Sequence, residues 1–176
     1  MVMQLDGVSD TCGTRRGPGR AIVGVSGTVT TFASEHCHPG NLGLHAVTFP
    51  LQIFALVAAL PWWGTAAYVG AAGLSAATME GTGAAAAYVA TILAPLWTLA
   101  WAIGGMGVMP AAAMWLAAGS LQFAVGHLIL EGHPPNTAPT GTSACGRIAH
   151  VVFEALLAGP FLLFCLLVVH KGAICV

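Results

Sequence analysis

Apolar residues gather into five runs, at roughly 44–61, 65–79, 84–104, 108–130 and 148–170. A helix that crosses a bilayer needs about 20 such residues. The runs therefore predict an all-α, polytopic membrane helix bundle of about five hydrophobic helices, four to five of them spans. The second run, "TAAYVGAAGLSAATM", is short and built from small residues. It crosses only if its neighbours pack closely, which its Gly and Ala content permits. Pro61, Gly81-Thr82-Gly83, Gly104-Gly105 and the loop "GHPPNTAPTGTSACG" separate the runs, each a recognised breaker of regular structure. Backbone polar groups in lipid must be satisfied internally, so helices are the form these runs take.

The polar residues inside the runs are not scattered. The first run is entered through "EHCHPGNLGLH". Pro39 suits the first turn of a helix, having no N–H to leave unpaired and a preset φ. A helix from there puts Asn41, His45, Thr48 and Gln52 at steps of four, three and four, on one face. His36 and His38 precede it and can fold back over its end. In the fourth run, Ser120, His127 and Glu131 fall at steps of seven and four, with His133 just beyond. The fifth opens with Arg147, His150 and Glu154 at steps of three and four.

His45 begins the first run and His127 ends the fourth, so an even number of crossings brings them to one side. His36, His38, His133 and His150 share that side, and only His170 lies opposite. An ionisable group inside a span costs on the order of 3 kcal/mol, so such groups default to a functional reading. Several imidazoles with carboxylates nearby suit iron, zinc or copper. A single boundary histidine is as readily a cap or an interfacial residue, and a His/Glu pair one turn apart can simply hydrogen-bond. Convergence from separate helices is what favours a metal.

Composition sharpens this picture. Of 176 residues 57% are hydrophobic and 6% charged, with a mean hydropathy of +0.83, whereas a soluble domain carries about 25% charged residues. A net charge of −1 and scattered basic residues give no footprint for a nucleic acid. The five cysteines show no metal-binding spacing and no disulfide framework; Cys165, in an apolar run, reads as a small apolar side chain. Residues 1–34 are expected to form a poorly ordered arm and residues 35–176 a single membrane helical domain. Arg15, Arg16 and Arg20 precede the first run and Arg147 lies between the fourth and fifth, so the basic-side rule puts the N-terminus and the histidines on the cytoplasmic side.

Two patterns go further. His36, Pro39, Asn41 and His45 fit His-x-x-Pro-x-Asn-x-x-x-His. Gln122, Phe123, Gly126, His127, Glu131 and Pro135, in "QFAVGHLILEGHPP", fit Gln-Phe…Gly-His-x-x-x-Glu-x-x-x-Pro. In this order and membrane context the chain resembles the Mpo-like family over roughly residues 32–165, with "LLAGPFLLF" similar to the family's last hydrophobic segment. The family includes iron(II)-dependent dioxygenases of the endoplasmic reticulum membrane that cleave 2-hydroxy fatty acids in α-oxidation.

The resemblance implies an oxidoreductase that uses Fe(II) and O2 to shorten a long-chain 2-hydroxy fatty acid by one carbon. It implies that His36, His45 and His127 are iron ligands or their close neighbours. Glu131 is implied as a further ligand or an acceptor behind the ligands, and His133 as an additional ligand. Asn41 and Gln122 are implied behind the ligands, Asn41 orienting a histidine through its amide. Two residues, Ala124 and Val125, lie between Phe123 and Gly126 where the family usually has one. On a regular α-helix an added residue turns Gln122 about 100° from its expected face.

Three other readings use the same residues. A histidine-ligated haem carrier would clamp a porphyrin between two spans. A transporter would relay protons through Glu131, Glu154 and the histidines. A scaffold would use its small-residue helices only to assemble.

Overall fold

The computed structural model describes residues 32–33, 36, 38–132, 143, 145–146 and 152–169. His133, His150, His170, Arg147 and the arginines of the expected N-terminal arm lie outside them. Five main helices account for nearly all the described residues: α1 (Pro39–Ala59), α2 (residues 62–80), α3 (residues 82–102), α4 (Val108–Glu131) and α5 (Glu154–Val169). The all-α bundle expected from the apolar runs is what the chain forms. Three helical stretches, Pro39–Ala59, Trp62–Ala102 and Val108–Glu131, are long and apolar enough to cross a membrane, and Glu154–Val169 is a shorter apolar helix.

The 41 residues of Trp62–Ala102 would reach about 60 Å if straight. They do not run straight. Gly81 has φ 85° and ψ 168°, a backbone region open to glycine and strained for other residues. Across that break the chain returns on itself: a side chain at Gly73 would lie 3.3 Å from Val89 Cγ2. Val89 is sixteen residues on, about 24 Å away on a straight helix. The small-residue second run is therefore one arm of a close-packed helical hairpin, α2–α3.

α1 is the central helix. Half of its most apolar stretch is buried, against 22% for those of Trp62–Ala102 and Val108–Glu131, and it packs against α3, α4 and α5. The outward faces of the others carry large apolar side chains, among them Leu74, Leu99, Leu116, Phe123 and Ile129, as a lipid-facing surface requires. The apolar core joins Ile53 and Val57 of α1, Ala72 and Ala76 of α2, Tyr88 and Leu93 of α3, and Phe161 and Leu166 of α5.

Prolines interrupt the helical ladder at Pro50, inside α1, and at Pro61, Pro95 and Pro160, and at the last three the fold answers locally. Pro160 has no N–H for the carbonyl four residues back; that carbonyl, on Leu156, accepts from the Tyr68 hydroxyl of α2 at 2.8 Å. Pro61 likewise leaves the carbonyl of Val57 without its helical donor, and Thr65 Oγ1 donates to it at 3.2 Å. The next carbonyl, on Ala58, accepts from Met106 N at 2.7 Å, which closes the end of α1. Ahead of Pro95 the helix widens into a π turn at Val89–Leu93, a common way to accommodate such a break.

Candidate metal centre

α1 and α4 pack antiparallel, so the start of α1 meets the end of α4. Asn41, His45, Thr48 and Gln52, expected on one face of α1, are all buried and all look toward α4. The partners follow in reverse order along α4: Glu131 hydrogen-bonds Asn41, His127 meets His45, Gln122 bonds Thr48, and Gly119 lies under Gln52.

On α4 the expected stripe was Ser120, His127 and Glu131. Ser120 is exposed, and Gln122 takes the buried place instead. The reason is the backbone: from Gln122 to Glu131 the helix is π-form, and Gly132 N–H donates to the carbonyl of His127, five residues back. Hydrogen bonding from i to i+5 puts residues five apart on one face, so Gln122 and His127 align. Gly132, with φ 75°, ends the helix in the left-handed conformation usual for such a cap.

Three imidazoles converge where α1 and α4 cross. The ring centroids of His36 and His45 are 4.8 Å apart, those of His36 and His127 5.1 Å, and those of His45 and His127 5.4 Å. One ligand nitrogen from each lies within 4.8 Å of the others, and all three residues are buried. Two nitrogens bound at about 2.1 Å stand at most about 4.2 Å apart, so ring movements of about an ångström close the set on one ion.

The tautomers suit that role. His36 Nδ1 lies 2.8 Å from the carbonyl of Phe32 and His45 Nδ1 lies 2.9 Å from the carbonyl of Asn41. A carbonyl only accepts, so each Nδ1 carries the proton and each Nε2 keeps its lone pair. Metal-binding histidines are held in this way, the remote N–H fixed on a carbonyl or carboxylate. On the chemistry of its donors the cluster fits a divalent transition metal.

Glu131 is not among the converging ligand groups. Its Oε1 accepts from Asn41 Nδ2 and from His38 N, each at 3.0 Å, so the carboxylate ties the end of α4 to the entry of α1. Asn41 was expected to orient a histidine through its amide. The amide goes to Glu131, and the backbone carbonyl of Asn41 is what holds His45. His38 caps α1, its exposed ring accepting from Gly40 N at 3.1 Å. His133 lies outside the described residues.

One contributor was not foreseen, and a second, Glu154, was singled out on its stripe without a role. Phe32, placed by sequence in an arm ending at residue 34, is 4% exposed and stacks on His36 with ring centroids 4.1 Å apart. Nothing periodic precedes it in the chain to mark it as core. Glu154, half-buried on α5, lines the cavity beside the histidines. That cavity, of about 490 Å³, extends from His36, His45 and His127 past Gln52 to Trp115. His127 and Trp115 are twelve residues apart, about 18 Å of helix, and the lining between them is mainly apolar. Its volume is typical of small-molecule sites.

Fold and site together define a class: a helical bundle apolar enough for a membrane, with a buried tri-histidine cluster at the head of an elongated apolar cavity. Comparison with protein-family models, with characterised proteins and with solved structures gives no match.

Proposed function

We propose that this chain is an Fe(II)-dependent dioxygenase that cleaves long-chain 2-hydroxy fatty acids to products one carbon shorter. One observation carries the reading: three buried histidines with two preset tautomers open directly onto a mainly apolar cavity of about 490 Å³ that runs along α4 from His127 to Trp115. Iron held there would supply the activation of O2 for cleavage of the C1–C2 bond. The chain's own residues supply the rest. His36, His45 and His127 hold the ion, and Glu131 fixes the helix ends that carry them. Phe49, against His45 with ring centroids 4.9 Å apart, helps exclude water. The cavity wall aligns the alkyl tail, so that the hydroxy-acid end is presented to the cluster rather than finding it by diffusion.

The three rings meet edge to face with no slot between them for a flat macrocycle, which favours an ion over haem. On this reading the protein works in the endoplasmic reticulum membrane. The histidine end faces the cytosol, as the basic residues of the sequence favour.

Purified protein supplied with Fe(II), O2 and a 2-hydroxy long-chain acid should release the acid shortened by one carbon, read by mass spectrometry. A His127→Ala protein that expresses normally and turns over unchanged would sink the ligand assignment.

A further inference from the structure

Two helical turns beyond His45, about 10 Å along α1, Gln52 lines the same cavity. Gln52 is 2% exposed, and its Oε1 has no hydrogen-bond partner among the described residues. Its Nε2 lies over Gly119, 3.1 Å from where a Cβ there would stand. The absence of a side chain at Gly119 is thus what gives the amide its place on the cavity wall. Ser120 adds a hydroxyl-bearing residue to the lining at the same level. Leaving a buried amide unsatisfied costs about 1–3 kcal/mol, and an apolar residue in its place would avoid that cost. A glutamine here is explained by a ligand that satisfies it.

We infer that Gln52 is a specificity residue that hydrogen-bonds a hydroxyl part-way along a bound acyl chain. This rests on the reading that the cavity takes an acyl chain with its acid end at the histidines. A hydroxyl suits the site because it both donates and accepts, and so pairs with the carboxamide in either orientation. The ligand class is accordingly a long-chain hydroxy acid bearing a second hydroxyl near mid-chain, two helical turns from the metal-bound end.

The experiment uses the full chain in lipid nanodiscs, loaded with Fe(II). Binding is measured for 2-hydroxystearate and for a panel of its analogues, each with one further hydroxyl at a successive mid-chain carbon. Wild type should bind one or two of the panel about tenfold more tightly than the parent acid, the scale of one net hydrogen bond in a dry site. In Gln52→Leu that preference should fall to about one, with the parent acid bound as well as before or better. The variant should also unfold at no lower temperature, since an apolar group of similar shape replaces an unpaired amide. Equal binding across the panel in wild type overturns the inference alone, and assigns the polar partner of Gln52 to water. A preference that survives in Gln52→Leu, or a loss of thermal stability with no change in preference, also overturns it. Failure of the parent acid itself to bind overturns the acyl-chain reading, and the inference with it.

Discussion

The carboxamide oxygen of Asn41 fills the space that a side chain on Gly126 would occupy. This contact sets how near α1 and α4 come at the level of the histidines, because Gly126 immediately precedes His127 and Asn41 lies one turn before His45. Gly126→Ala must therefore separate the helices or displace the amide from Glu131. Overpacking of this kind costs about 1–3 kcal/mol, and the histidine set opens with it. We expect a lower unfolding temperature and at least a tenfold loss of metal affinity. Gly43→Ala is the control: nothing lies within 4 Å of a Cβ there, and metal binding should not change. Normal metal binding in Gly126→Ala would show that the approach of the two helices does not set the site.

Removing ligands and removing their support should give different results. Any of His36→Ala, His45→Ala or His127→Ala deletes one of three donors and should abolish stoichiometric metal uptake, measured by elemental analysis of the purified protein. Glu131 acts through position. Glu131→Ala releases both Asn41 Nδ2 and His38 N, and should lower metal affinity by about 10–100-fold, the range for residues that orient ligands. Glu131→Gln keeps an acceptor oxygen and should fall between Glu131→Ala and wild type. Complete loss of metal in Glu131→Gln would instead make the carboxylate charge part of the ligand set.

The difference between α1 and α4 shows what sequence spacing can carry. α1 is a regular α-helix through its polar face, so steps of four, three and four from Asn41 to Gln52 picked out the buried stripe. The same arithmetic failed on α4, where it chose Ser120 over Gln122, because it presumes a constant turn and the helix widens at Gln122. The pairing of His45 with His127 was legible, since it needs only the order and direction of the spans. The hairpin at Gly81 was legible from its glycines. Phe32 was not, because its burial depends on His36 folding back over α1, a tertiary event with no local period. The role of Glu131 as a tie between helix ends was hidden for the same reason: its partners are 90 and 93 residues away.

Tyr68 offers a test of stability separate from the metal. Its hydroxyl serves the Leu156 carbonyl that Pro160 cannot serve, and it joins α2 to α5 away from the histidines. Tyr68→Phe removes only that donor. Interhelical hydrogen bonds in membrane proteins contribute about 0.6 kcal/mol on average and up to about 1.7. With a part-buried carbonyl left short of that donor, a cost within that range, about 1 kcal/mol, is expected. Reversible unfolding in mixed micelles should register it, while metal content stays at the wild-type level. Thr65→Val, which strips the donor from the carbonyl of Val57, should behave alike. A metal deficit in either variant would mean that the far side of the bundle tunes the cluster.

Phe32 holds His36 in two ways, and they can be separated. The carbonyl that fixes the Nδ1 proton belongs to the backbone and survives any substitution, whereas the stacked ring, 21° from parallel with the imidazole, does not. Phe32→Ala therefore leaves the tautomer intact and frees the plane of the ring. Aromatic pairs contribute about 0.5–1.5 kcal/mol beyond burial, so metal affinity should drop about three- to tenfold, with His45 and His127 still in place. Phe32→Tyr retains the stacked face and should bind metal nearly as wild type does, provided its hydroxyl reaches the cavity that Phe32 also lines. Metal affinity read by competition with a chelator of known strength separates the two substitutions. Equal affinity in Phe32→Ala and wild type would show that the backbone carbonyl alone orients His36.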